Sequence, residues 1–156
     1  MLISLQYNSI LDFFNNSDAN CTSVGKIDNS KISFLKAKCP ELSEKIDNRT
    51  IIMWKDRIEH IKKHTFDNSN LSIEEMCEII PEILDKPDYL GFKPKDYSLQ
   101  FIKRYKDNIL VAVRIDSKGR LSFRTMFTIT ESQLSDYIRK GRAWKFNTEN
   151  KNIDKQ

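Results

Sequence analysis

Glycine is scarce in this chain, with only Gly25, Gly91, Gly119 and Gly141 in 156 residues, and they never cluster. That excludes a P-loop or a dinucleotide fingerprint, because both need closely spaced glycines to bring backbone N–H groups against phosphate. Cysteine is nearly absent. Cys21, Cys39 and Cys77 are widely spaced, form no CxxC pair and have only two histidines to complement them, so neither a disulfide framework nor a zinc ribbon is supported. No serine stands in a nucleophile elbow. Long apolar runs are also missing. Ile109 to Val113 and Ile51 to Trp54 are the longest, far short of the ~20 residues of a membrane span, and nothing after Met1 resembles a secretory signal. The expectation is a soluble, cytoplasmic protein with reduced thiols and no membrane partner.

The length fits one domain. The net charge of +4 is mild, but it is unevenly spread. From Phe101 to Lys145 there are eleven lysines and arginines against four carboxylates, a net +7 that leaves −3 on the remainder. An acidic first two thirds joined to a basic last third predicts that the C-terminal part faces a polyanion, with an ordinary solvated basic face as the alternative.

Periodicity divides the chain in the same place. Leu2 to Phe14 reads as an apolar-rich helix, Thr22 to Ile27 as a short strand and Ser30 to Lys38 as a helix before Pro40. Trp54, Ile58 and Ile61 recur at helical spacing. Ser72 and Glu75 form an S-x-x-E capping box opening a helix with Ile73, Met76, Cys77, Ile80 and Leu84 inward, which Pro81 should kink or divide and Pro87 ends. Beyond Asp88 the pattern alternates. After a short strand at Tyr89 to Phe92, Leu99 to Tyr105, Ile109 to Ile115 and Leu121 to Ile129 read as strands, the last two joined at Asp116 to Arg120 with Gly119 left-handed. This turn predicts Val113 opposite Phe123, Val111 opposite Thr125 and Ile109 opposite Phe127. Ser132 to Arg139 closes the domain as a helix, and Asn147 to Gln156 reads as a tail. The expected class is α+β: N-terminal helices packed on a C-terminal antiparallel sheet of about four strands, with a closing helix.

His60 and His64 lie four apart, so on a helix they point the same way. The pair fits three roles: solvent-facing surface beside Lys62 and Lys63, proton transfer near neutrality, or a metal site, for which the HExxH carboxylate and a third ligand are missing. Thr125 and Lys103 are polar intruders in apolar strand rows. A buried threonine is ordinarily satisfied by a carbonyl, whereas a lysine on an inward row must either snorkel to the sheet edge or line a cleft that holds an anion. Arg114 and Arg124 project from the opposite face, as a phosphate patch or as solubilising charge.

The blocks GKIDNSKI at 25–32, RIEHIKKHT at 57–65, ILDKPDYLGF at 83–92, LQFIKRY at 99–105, ILVAVRID at 109–116 and LSFRTMFTIT at 121–130 together resemble the phage-associated branch of the barnase, EndoU, colicin and RelE-like (BECR) nuclease superfamily. The likeness covers residues 25–145 and lies in the order and spacing of blocks, leaving 1–24 as an N-terminal helical extension and 146–156 as a flexible tail. The resemblance implies a metal-independent ribonuclease without cofactor, acting as a toxin or phage-associated effector in the cytoplasm or delivered into a target cell. Its partners are then RNA, tRNA included, and a candidate immunity or antitoxin protein. By position, His60, His64, Lys103 and the Arg124–Thr125 pair match the superfamily's catalytic positions, and Arg104, Tyr105 and Arg114 are candidate substrate contacts. The implied chemistry is attack of a ribose 2′-hydroxyl to give a 2′,3′-cyclic phosphate. The alternative is a degenerate nuclease fold that grips RNA or a protein without cutting.

Overall fold

The computed structural model of the chain describes residues 9–42, 46, 49–64 and 71–146, with the side chain of His64 left out. In order these form α1 (Ile10–Asn15), β1 (Cys21–Lys26), α2 (Asn29–Lys38), a 3-10 turn at Pro40–Leu42, β2 (Thr50–Trp54), α3 (Asp56–His64), α4 (Ile73–Asp85), β3 (Tyr89–Lys93), β4 (Ser98–Arg104), β5 (Asn108–Ile115), β6 (Leu121–Ile129), α5 (Glu131–Arg139) and β7 (Ala143–Lys145). Residues 1–8, which open the apolar N-terminal stretch, and the tail at 147–156 lie outside the described residues.

The class is α+β, but the described residues form one sheet of seven strands, not four, in the order β1-β2-β6-β5-β4-β3-β7. The three additional strands are β1, β2 and β7. β1 and β2 lie among the helices in sequence, and β2 joins the C-terminal strands by running parallel to β6. β7 has three residues, too few for alternation to show. Trp54, placed on a helical stripe by its spacing, instead ends β2 on the outward side, whereas Ile58 and Ile61 of α3 are buried.

The main core lies between the helices and one face of the sheet. Met76, Cys77, Ile80, Ile83 and Leu84 of α4 meet Leu99 and Phe101 of β4 and Val111 and Val113 of β5, with Ile10 and Phe14 of α1 in the same cluster. The start of α4 follows the sequence: the Glu75 N–H donates to Ser72 Oγ at 3.1 Å, and the Ser72 N–H donates to Glu75 Oε1 at 2.9 Å. Pro81 neither divides nor ends the helix. Its ring costs one hydrogen bond to the carbonyl four residues back, and burial of Ile80, Ile83 and Leu84 around it outweighs that loss. A smaller core on the opposite face joins Ile102, Leu110, Ala112 and Ile129 to Leu134 of α5 and Ala143 of β7. That helix begins with a second reciprocal cap, between Thr130 and Gln133. β5 is therefore buried on both faces, which is why NILVAVRI is apolar almost throughout.

The register departs from expectation at one place. The β5–β6 turn is as predicted, with Gly119 at φ 78 and the Asp116 N–H donating to the Arg120 carbonyl at 3.0 Å. Val113 does face Phe123, but the next pair is Ala112 with Thr125, leaving Arg124 as a bulge residue. Val111 thus faces Met126, and Ile109 faces Thr128, rather than Thr125 and Phe127. One extra residue reverses the facing of everything beyond it. Met126 fills the main core, and Thr125, Phe127 and Ile129 turn to the other side.

Two further features hold the body together. Lys31, 1% exposed, donates from Nζ to Asp28 Oδ2 at 2.9 Å, and Asp28 also caps α2 by accepting from the Lys31 N–H at 2.9 Å. At Gly91 an added Cβ would stand 2.2 Å from the Arg142 carbonyl oxygen, which accepts the Phe92 N–H across the β3–β7 pair. Gly91→Ala is expected to cost about 1 to 3 kcal/mol by forcing β7 outward; urea unfolding measures it, and an unchanged midpoint would show that the strand gives way freely.

Candidate active site

α3 follows β2 directly and takes the place of a strand beside β6. β2 and β6 pair only through Ile51–Leu121 and Ile52–Ser122. Beyond that point the chain turns at Lys55 and α3 packs along β6, opposite the bulge. Two α3 side chains three residues apart, and so on one helix face, reach it. Arg57 Nη1 donates to the Arg124 carbonyl at 3.0 Å. His60 Nε2 lies 3.1 Å from Thr125 Oγ1.

His60, Thr125 and Arg124 line a cleft of about 460 Å³ on the sheet face opposite the main core. Arg114 enters it from β5, between Ser98 and Ser122 on the neighbouring strands. Arg124 enters from the bulge. Lys93 and Lys95 stand on the rim with Asp96, whose carboxylate is 3.2 Å from Lys93 Nζ. The turn that carries them is held from behind: Tyr97, at φ 52, donates its hydroxyl to the Glu41 carbonyl at 3.2 Å. Ser98 and Gln100 form a buried polar floor beside Phe127. Four cations against one carboxylate, around a histidine with a hydroxyl at hydrogen-bond distance, suit a phosphate chain with a proton-transfer group beside it.

Of the residues singled out from sequence, His60, Thr125, Arg124 and Arg114 come together here. The bulge brings Arg124 and Thr125 to the same cleft, although strict alternation assigns them to opposite faces. His64 ends α3 one turn after His60, and its side chain lies outside the described residues.

Lys103, Arg104 and Tyr105 are not brought to the cleft. Lys103 is on the helix-covered face and donates from Nζ to the Lys86 carbonyl, the C-cap of α4, at 2.8 Å. A lysine there satisfies a carbonyl left open by the helix. Arg104 meets both oxygens of Glu131 at 3.0 and 3.1 Å. The Asn108 amide and then Arg104 hold that carboxyl below its usual range. Burial, followed by the facing Glu82 carboxylate, keeps the Tyr105 phenol well above its ordinary range. Arg57, Lys93, Lys95, Ser98 and Gln100 were missed. The signals were available in part, since Arg57 is three residues before His60 and Ser98 and Gln100 alternate with Leu99 and Phe101.

An α+β body with a cationic cleft on one sheet face is of the class built to meet a polyanion. The chain is a member of the phage-Barnase-EndoU-ColicinE5/D-RelE like nuclease 3 family, whose profile matches residues 16–136. Every residue of the cleft falls within that match. No curated protein and no solved structure matches the chain. Among the described residues no three His, Cys, Asp or Glu side chains are grouped to hold a metal ion, and no helix is long and apolar enough to cross a membrane.

Proposed function

We propose that this nuclease is an endoribonuclease that works without a metal and acts as a toxin or phage-associated effector. The observation that carries the reading is the His60–Thr125 contact at the edge of the cationic cleft. His60 accepts the proton of a ribose 2′-hydroxyl. The freed O2′ attacks the adjacent phosphorus, the bond from phosphorus to the 5′-oxygen breaks, and the leaving oxygen takes up a proton. The products are a 2′,3′-cyclic phosphate and a 5′-hydroxyl. His64, four residues on along α3, is the candidate for the proton donor.

With its proton on Nε2 the imidazole donates to Thr125 Oγ1 both before and after Nδ1 takes up the 2′-hydroxyl proton, so the threonine hydroxyl keeps the ring aimed into the cleft in both states. Arg124 and Arg114 meet the charge that builds on the non-bridging oxygens, a contribution of ~3 kcal/mol or more where donors are preorganised. Lys103, which the resemblance matches to a catalytic position, is engaged instead at the end of α4. The need for a 2′-hydroxyl makes RNA the substrate. tRNA is one candidate target, and an immunity or antitoxin protein is the partner such an activity calls for in the producing cell.

Total RNA incubated with the purified protein in EDTA is expected to be cut to fragments ending in 2′,3′-cyclic phosphate. Salt-sensitive RNA binding with no products, tRNA included, would replace this reading with that of a non-cutting binding module. Cleavage abolished by EDTA and restored by a divalent cation would replace it with a metal-dependent one.

A further inference from the structure

On β2 the core side is taken by Ile51 and Met53, both fully buried, and Trp54 turns outward with 51% of its surface exposed. Among the described residues only Ile138 joins it as an exposed large apolar side chain. The surroundings of Trp54 say what fits. A second cavity, of about 480 Å³, is lined by Trp54, Lys55, Asp56, Arg57, Ser122 and Arg124 among others. Three cations there outnumber one carboxylate, and Asp56 is engaged by Arg57 Nε at 3.5 Å. Arg124 lines both this cavity and the cleft.

A flat indole face beside a run of cations recognises one kind of ligand well: a single-stranded nucleic acid, whose base stacks on the ring while its phosphates meet the charges. A duplex keeps its bases stacked on each other and offers no free face.

We propose that Trp54 is a stacking platform for a base flanking the cleaved phosphate, with Lys55 and Arg124 holding the phosphates between platform and cleft, so that the enzyme selects single-stranded RNA. The proposal rests on the ribonuclease reading of the cleft and names a subsite beyond it.

The test uses the full chain carrying His60→Ala, so that RNA is bound and not consumed, and Trp144→Phe, so that Trp54 is the only indole. A single-stranded 12-nucleotide RNA is expected to quench Trp54 emission. Trp54→Ala should then weaken binding about tenfold, and Trp54→Phe by less than threefold. The dependence of affinity on salt should be unchanged in Trp54→Ala and reduced by about one phosphate contact in Lys55→Ala. The same sequence as a duplex should give no quenching. If Trp144→Phe destabilises the fold, the Trp54→Ala affinity ratio measured with Trp144 in place decides the matter.

Affinity within twofold of the parent in Trp54→Ala, or unaltered emission on binding, overturns the platform. Should the wild-type chain still cut RNA in that case, the ribonuclease reading stands without it. A wild-type chain that neither binds nor cuts RNA removes both. Equal quenching and affinity with single-stranded DNA supports the platform and overturns the selection of RNA.

Discussion

His60→Ala will lower the rate of RNA cleavage by a factor of about 10² to 10⁴, the usual loss when a positioned acid or base is removed. The fold should survive it, because His60 is half-buried at the rim and the core side of α3 is carried by Ile58 and Ile61. Unfolding midpoint and circular dichroism should therefore match the parent, and RNA should still bind. Thr125→Ala should cost less, since the hydroxyl orients the imidazole and does not itself take the proton. Once His60 is gone, removing Thr125 should add little, because groups that act as a unit are not additive. Arg57→Ala tests the support: it frees the carbonyl at the bulge, and its expected signature is a fall of about tenfold in kcat with KM unchanged, as for a positioning group. Cleavage within threefold of the parent in His60→Ala would remove His60 from the reaction and leave His64 as the base to test.

Asp28→Ala will destabilise the fold by about 3 kcal/mol, measured by urea unfolding at pH 7. Two losses combine. The N-cap of α2 contributes about 1 kcal/mol. The rest comes from leaving the Lys31 ammonium buried without its carboxylate partner, the Phe146 ring lying 5.9 Å away. A fully buried pair broken in this way costs about 3 to 5 kcal/mol, but the Asp28 side chain is 54% exposed, so solvent screening reduces the figure. Asp28→Ala with Lys31→Met should recover everything except the cap, because no unpaired cation then remains.

The pH dependence follows in sign. Burial alone would raise the Asp28 carboxyl; hydrogen bonds from the Lys31 side chain and N–H and from Ser30, with the Lys31 charge, prevail and bring it from 3.8 down to about 2. A carboxyl depressed by folding stabilises above its unfolded value and ceases to as pH falls through the folded one. The difference between wild type and Asp28→Ala should thus be full at pH 7 and shrink between about pH 4 and pH 2. A difference that stays constant over that range would mean that Asp28 acts through its cap geometry alone.

The helical half of this fold is legible where caps and periodicity coincide, as at Ser72 and Glu75. The β5–β6 turn is legible for a similar reason, since Gly119 is where a left-handed residue is required. The bulge is not. Both Leu121-to-Phe123 and Phe127-to-Ile129 alternate correctly, and only the tertiary placement of Arg57 against the Arg124 carbonyl shows where the phase slips. That slip decides the site, because it puts Thr125 on the cleft side. Lys103 shows the converse. It was conspicuous as a charge on an apolar row, and the structure satisfies it with the α4 C-cap carbonyl, a contact that depends on where a distant helix ends. The three-residue β7 escapes for want of length, whereas the short strands β1 and β3 are legible, and Trp54 escapes because a residue closing a strand and preceding a helix satisfies both periods.

On the proposed reading, the packing of α3 on β6 also sets when the site can form. His60 and Thr125 are 65 residues apart in sequence, and Arg57 and Arg124 are 67 apart. Closing loops of that size carries an entropic cost that only the assembled sheet offsets, and such non-local pairings form late in folding. At about 5 to 20 residues per second of synthesis, a ribosome has made the histidine several seconds before the strand that receives it. On the proposed reading, a chain ending before β6 carries His60 without Arg124, Thr125 and Phe127, and cleavage waits until β6 has been made and has joined the sheet.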